Sequence, residues 1–171
     1  MSTQIPERLT NFNAYNDGKK LVGTVDVELP EVAFMTDTIS GAGIAGEIDS
    51  PVVGMVQSMT STITWRTVTK AASVLAAPKI HAIELRGSQE VFDQATGTKR
   101  AQPLRVAMRV QPKNLSLGSL EVGSSTGTES EFEVTYLKVI LDGEEIIEID
   151  KFNFIYKVDG TDYLADVREN I

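Results

Sequence analysis

A chain of 171 residues fits one domain, able to bury roughly 70% of its unfolded surface. Its 42% hydrophobic and 23% charged residues have the balance of a soluble globular protein, and the absence of cysteine excludes disulfide frameworks, thiol nucleophiles and thiolate metal sites. A formal net charge of −8 argues against the basic footprint that a protein gripping nucleic acid needs.

The N-terminal MSTQIPER has no basic segment leading into an apolar core, so no signal peptide is expected. No later run approaches the ~20 apolar residues of a transmembrane helix. Residues 1–11 read as an N-terminal arm. Asp17-Gly18 has the chemistry of a two-residue hairpin turn, and strand-like runs follow at 20–28 and 32–39.

Next comes GAGIAG, in which Gly41, Gly43 and Gly46 stand at dinucleotide-loop spacing. The chemistry of such a loop needs a helix leaving it, so that N–H groups face the pyrophosphate, and an acidic residue about twenty positions on. Here Pro51 and Gly54 stop any helix, Arg66 stands where the acid belongs, and Glu47 and Asp49 repel phosphate. The nucleotide reading fails, and residues 40–54 are left as a long loop, too apolar to be idle.

From 59 to 67 the period is two, with Met59, Ile63 and Trp65 on one side and Thr60, Thr62, Thr64 and Arg66 on the other. Trp65 is expected in the core. The only internal helical pattern is VTKAASVLAA, where Val68, Ala71, Ala72 and Leu75 share a face until Pro78. His81, the single histidine, alternates with Ile83 and Leu85 in a strand at 79–86. It lacks the companions of a catalytic triad or a zinc site, so a packing or surface role is expected.

Thr96-Gly97-Thr98 marks another turn, and Leu104, Val106, Met108 and Val110 form one face of a strand. Residues 113–130, rich in Gly, Ser and Thr, read as a second long loop. Strand 131–141 leads through Asp142-Gly143 into the carboxylate run Asp142, Glu144, Glu145, Glu148 and Asp150. Ile146, Ile147 and Ile149 interrupt any calcium-loop spacing, so a solvated strand face is expected. A last strand, 151–158, would carry Phe152, Phe154, Tyr156 and Val158 on one face. Asp159-Gly160 is a further turn, and a short C-terminal helix would carry Tyr163, Leu164 and Val167 on one face.

The elements add up to a mainly β, antiparallel sandwich or barrel with one flanking α-helix, in a single domain spanning 1–171. No cofactor, no metal site and no catalytic constellation is expected. The competing readings are a monomeric β-sandwich binding module, carbohydrate-binding for example, which needs an exposed aromatic platform, and a hydrolase using two carboxylates across a cleft.

Three stretches carry a resemblance: NFNAYNDGKKLVG at 11–23, GAGIAGEIDSPVVGMVQSMTSTITWRT at 41–67, and DGEEIIEIDKFNFIYKVDGTDYLADVREN at 142–170. In this order and spacing they resemble the major tail tube proteins of contractile-tailed bacteriophages and related phage-tail-like bacteriocins. The resemblance implies a structural β-sandwich subunit and no enzyme. Such subunits form hexameric rings that stack into a hollow tube within a contractile sheath. The implied partners are further copies of the chain, the tail sheath protein, the tape-measure protein, and the baseplate and tail-terminator proteins. DNA would pass through the lumen without specific binding. The implied location is the virion tail, assembled in the host bacterial cytoplasm. Under this reading 40–54 is an inter-subunit arm made by Gly41, Gly43, Ile44, Gly46, Glu47, Ile48, Pro51, Val52, Val53 and Gly54, the alternative being a loop folded over its own core.

Overall fold

The computed structural model describes residues 3–171. In chain order the elements are β1 (Gln4–Asn16), β2 (Lys19–Leu21), β3 (Thr24–Glu28), β4 (Phe34–Ser40), β5 (Glu47–Val56), β6 (Met59–Trp65), α1 (Lys70–Leu75), β7 (His81–Asp93), β8 (Thr98–Ser116), β9 (Thr128–Leu141), β10 (Glu144–Asp150), β11 (Ile155–Val158), β12 (Thr161–Asp162) and α2 (Ala165–Asn170). Three Asp-Gly turns behave as their chemistry demands. Both residues of Asp17-Gly18, Asp142-Gly143 and Asp159-Gly160 have positive φ, the geometry whose twist matches the flanking strands.

Ten strands form one antiparallel sheet in the order β12-β11-β10-β9-β8-β7-β1-β2, with β6 also on β9 and β3 on β6. The branch lies in β9. Its first half, Thr128 to Val134, pairs with β6, and its second half, Tyr136 to Leu141, pairs with β10. At the changeover Thr135 is passed over, because Arg109 of β8 faces Tyr136 while Val110 faces Val134. Such a bulge bends the strand, and the backbone oxygen of Thr135 is taken by the Lys151 N–H at 3.2 Å.

The fold encloses a core in which Met59, Ile63, Trp65, Ile83, Phe132 and Leu75 are almost wholly buried. Alternate β6 residues are buried along the whole strand, as period-two patterning requires. The Trp65 indole N–H donates to Ser130 Oγ at 3.0 Å. Replacing Ser130 by alanine strands that buried donor and should cost about 1–3 kcal/mol, read as a lowered midpoint in urea unfolding.

Helix α1 opens on Thr69, whose Oγ1 accepts from the Ala72 N–H at 3.1 Å, and it seats Ala72 and Leu75 in the core. His81 has the packing role. It is fully buried, its Nε2–H donates to the Ala77 carbonyl at 3.0 Å, and its Nδ1 has no partner among the described residues. The side chain ties the end of α1 to the start of β7. His81→Gln keeps an N–H donor there, so it should lower stability by no more than about 1–3 kcal/mol and leave self-association unchanged by light scattering.

Four expectations need correction. The arm at 1–11 is not an arm from Gln4 onward, since β1 pairs with β7 beginning at Gln4–Asp93. Register shifts between Pro6 and Arg8 and between Leu9 and Asn11 break the alternation that would have revealed a strand. Met1 and Ser2 lie outside the described residues. The loop at 40–54 shrinks to 41–46, because Glu47–Val56 is β5. The loop at 113–130 shrinks to 117–127, because β8 runs to Ser116 and β9 starts at Thr128. The strand at 151–158 begins only at Ile155. The Asp150 carboxylate accepts the N–H groups of Phe152 and Asn153, each at 3.1 Å, and Phe154 turns at φ 52°. This side-chain-capped turn takes Phe152 and Phe154 off the face carrying Tyr156.

Candidate assembly arm

Strands β4 and β5 make a two-stranded sheet of their own, with no strand pairing to the main sheet. Ser40 faces Glu47, Ile39 faces Ile48 and Thr38 faces Asp49, and the Thr38 hydroxyl donates to the Asp49 carboxylate at 2.7 Å. Gly41, Gly43 and Gly46 all have positive φ, the conformations that let six residues reverse the chain. The Ile44 N–H closes on the Gly41 carbonyl at 3.2 Å.

Every β4 residue is exposed, as is most of β5. Met35, Ile39, Ile48 and Val53 are 44% to 66% exposed. A lone two-stranded hairpin is marginally stable in water, and among the described residues this one has no strand on either outer edge and keeps apolar side chains in solvent. Unpaired edges and exposed apolar side chains together mark an interaction surface.

The base is different. Between Thr36–Pro51 and Phe34–Val56 the pairing skips several β5 residues, and the bulge contains Gly54 at φ 68°. A Cβ at Gly54 would lie 2.6 Å from Leu164 Cγ and Cδ2, so the arm and the residue that opens α2 pack backbone to side chain. Phe34 meets Tyr156 edge-on at 5.6 Å between ring centres, and Tyr156 meets Tyr163 at 6.4 Å. The Gln57 N–H donates to the Ala33 carbonyl at 2.8 Å, and Lys151 Nζ donates to the Gln57 carbonyl at 2.8 Å.

Asp162 anchors the C-terminal side of this base. Its carboxylate accepts from the Leu164 N–H at 3.1 Å and from Arg168 at 2.8 Å, while Arg168 also reaches the Phe154 carbonyl at 2.7 Å. Partial burial pushes the Asp162 carboxyl up, but the Arg168 guanidinium and the Leu164 N–H outweigh it and hold the group below its ordinary value. A carboxyl lowered in the folded state contributes stability above its unfolded pKa and loses it as pH falls through the folded one. Below about pH 4 the α2 segment should therefore loosen before the core does. Asp162→Asn should be equally loose at neutral pH. Limited proteolysis across pH, with mass mapping of cleavage after residue 160, checks this.

Of the ten residues expected in the arm, Gly41, Gly43, Ile44 and Gly46 form the turn, Glu47 and Ile48 start β5, Pro51 pairs with Thr36, and Val52, Val53 and Gly54 lie in the bulge near the base. They belong to one hairpin but to two ends of it. The sequence reading missed Phe34, Met35 and Ile39 on the partner strand, and Tyr156, Tyr163 and Leu164 under the base. The available signal was three exposed-type apolar residues in the 32–39 run directly before a glycine turn.

The carboxylates at 142–150 are engaged rather than gathered. Asp142 meets Arg100 at 3.1 Å, Glu145 meets Lys138 at 2.7 Å, and Glu148 accepts from the Tyr136 hydroxyl at 3.0 Å. Among the described residues no group of three or more His, Cys, Asp or Glu side chains is placed to hold a metal ion, and no helix is long and apolar enough to cross a membrane.

The family model described as phage tail tube protein FII matches residues 6–171. The tail tube protein of Escherichia phage P2 is 28% identical, over 98% of each chain. The major tail tube protein of Serratia phage KSP20 is 26% identical, over 95% of this chain and 93% of the other. Among solved structures, the sheath/tube terminator of an extracellular contractile injection system, PVC, in the extended state superposes with a TM-score of 0.53 at 15% identity, over 77% of this chain and 93% of that one. At that identity the likeness is one of fold.

Proposed function

The chain belongs to the phage tail tube protein FII family, a structural family and not a family of enzymes, and from that premise we propose that it closes into hexameric rings which stack as a hollow tube inside a contractile sheath. The observation that carries this reading is the β4–β5 hairpin, a two-stranded sheet held outside the main sheet with its apolar side chains in solvent. Contacts between identical copies that close around an axis make rings, and contacts that translate along it make filaments. A tube needs both, and an arm built to reach a neighbour supports either. Ring closure also removes exposed sheet edges, as closing a barrel does within one chain.

In this role the net charge of −8 keeps phosphate contacts few, so that a duplex slides through the bore without a salt-dependent grip. The tube would serve DNA delivery in an intact virion, or envelope puncture in a particle that carries no DNA. It would meet the sheath on its outside, the tape-measure protein within, and the baseplate and terminator proteins at its ends. Assembly would take place in the host cytoplasm.

Negative-stain electron microscopy of the purified protein over a concentration series, with light scattering on the same samples, tests the proposal. Rings or hollow filaments that grow with concentration are expected. Separate monomers at every concentration would contradict it and favour a monomeric binding module.

A further inference from the structure

The loop between β8 and β9 combines two properties that seldom coexist. It is tightly held. The Ser119 N–H donates to the Thr126 carbonyl at 2.9 Å, and the Thr126 N–H to the Arg66 carbonyl at 3.1 Å. The Thr128 hydroxyl donates to the Leu117 carbonyl at 3.0 Å, and a Cβ at Gly118 would sit 1.9 Å from the Thr126 oxygen. Yet its tip, turned by a Ser124 N–H to Glu121 carbonyl bond of 3.2 Å, holds Leu120 at 93% and Val122 at 103% exposure. An ordered loop that presents two aliphatic side chains wholly to water has already met the ordering cost of binding.

At the base of the hairpin lies the complementary shape. Phe34, Pro51, Val52, Val53, Tyr156 and Tyr163 line an open apolar hollow of about 240 Å³, room for one or two aliphatic side chains. Knob and hollow stand at opposite ends of the same strands. The loop leaves at Thr128, paired with Trp65 at the end of β6, whereas the hairpin base is tied to Lys151, whose N–H bonds Thr135. From Thr128 to Thr135 is about 23 Å of extended strand. A contact between opposite ends of one chain is heterologous, and it propagates as a filament wherever its rotation does not close.

Charge agrees with shape. Glu121, between the two aliphatic residues, is the single ionisable group of residues 117–127. Lys151 lines a neighbouring cavity that shares Gly54 with the hollow; its Nζ holds the neutral Gln57 carbonyl at 2.8 Å and its carboxylate partner Glu133 only at 3.7 Å, so it keeps donor capacity for a second carboxylate. We propose that successive rings dock by this pair: Leu120 and Val122 of one copy fill the hollow under the hairpin of the copy stacked beyond it, with Glu121 reaching Lys151. The inference rests on the tube reading and adds which surfaces make the axial contact.

The chain has no cysteine, so cross-linking is clean. Leu120→Cys and Val53→Cys are combined in one chain, with each single variant as control. A second pair, Val122→Cys with Val52→Cys, guards against an unfavourable geometry. Each is joined by mild oxidation or a short bis-maleimide after assembly, while wild-type protein under the same conditions is imaged for tubes. The double variants should give a ladder extending well past the dimer on denaturing gels, and the singles no more than dimers. Leu120→Asp should form rings that fail to stack, raising the concentration needed for tubes at least ~10-fold. Wild-type tubes without a ladder from either pair, or Leu120→Asp tubes at the wild-type concentration, would overturn the docking contact and leave the tube intact. Wild-type protein that forms no tubes would overturn the tube reading and this contact with it.

Discussion

Gly54→Val should lower the thermal midpoint by on the order of 10 °C and prevent assembly, although Gly54 lies outside the ten-stranded sheet. Two costs combine. Gly54 sits at φ 68°, where a side chain adds about 1–2 kcal/mol. Its Cβ would fall 2.6 Å from two carbons of Leu164, which is itself buried at 4% exposure. Overpacking of that kind costs about 1–3 kcal/mol, and the sum is a large share of a total stability of about 5–15 kcal/mol. The strain falls where the arm meets α2, so the arm's exit angle should change as well. The cause is separable with Gly54→Ala. Combined with Leu164→Ala, it should lose about 1–3 kcal/mol less than the two single losses added together. Strict additivity would mean that the arm does not lean on Leu164.

Ile48→Asp should have the opposite profile, a fold left whole and an assembly lost. Ile48 is 55% exposed and faces Ile39, 44% exposed, across the hairpin. Losing that pair costs the free subunit about 0.2–1 kcal/mol. Burying an isoleucine against a neighbour is worth about 1.5–3 kcal/mol, and the aspartate adds an unpaired charge to the same contact. At 1.4 kcal/mol per factor of ten, the concentration needed for assembly should rise by about two orders of magnitude. Sedimentation at several concentrations, with a melting curve of the same sample, separates the two effects. An Ile48→Asp protein that assembles at wild-type concentration would remove the arm from the interface.

Much of the body of the fold was legible because burial and periodicity agree there. In β6 one face is core and the other is threonine, so period two is visible in the sequence. The Asp-Gly turns were legible because few residues accept positive φ at two successive positions. Legibility failed where one of these conditions was missing. β1 carries two bulges, so its pattern slips twice within one strand. β5 is exposed along most of its length, and a strand without a buried face has no alternation to display; β4, equally exposed, was legible only as the strand-like run at 32–39. The candidate site sits in just that stretch, which is why its glycines marked a turn while its second strand was hidden. The Phe152-Phe154-Tyr156 stripe misled for a local reason: the Asp150 side chain captures two backbone N–H groups and turns the chain before a strand can form.

A neighbouring copy that completes the β4–β5 hairpin must slow the exchange of its amides. Amide hydrogen exchange, followed by peptide mass on dilute monomer and on assembled protein, tests it most directly. Fast exchange is expected across residues 34–56 in the monomer, as a lone hairpin requires, and strong protection of the same peptides after assembly. β6 and β9 should be protected in both. Exchange across 34–56 that is the same in monomer and assembly would mean that no neighbouring copy completes the hairpin.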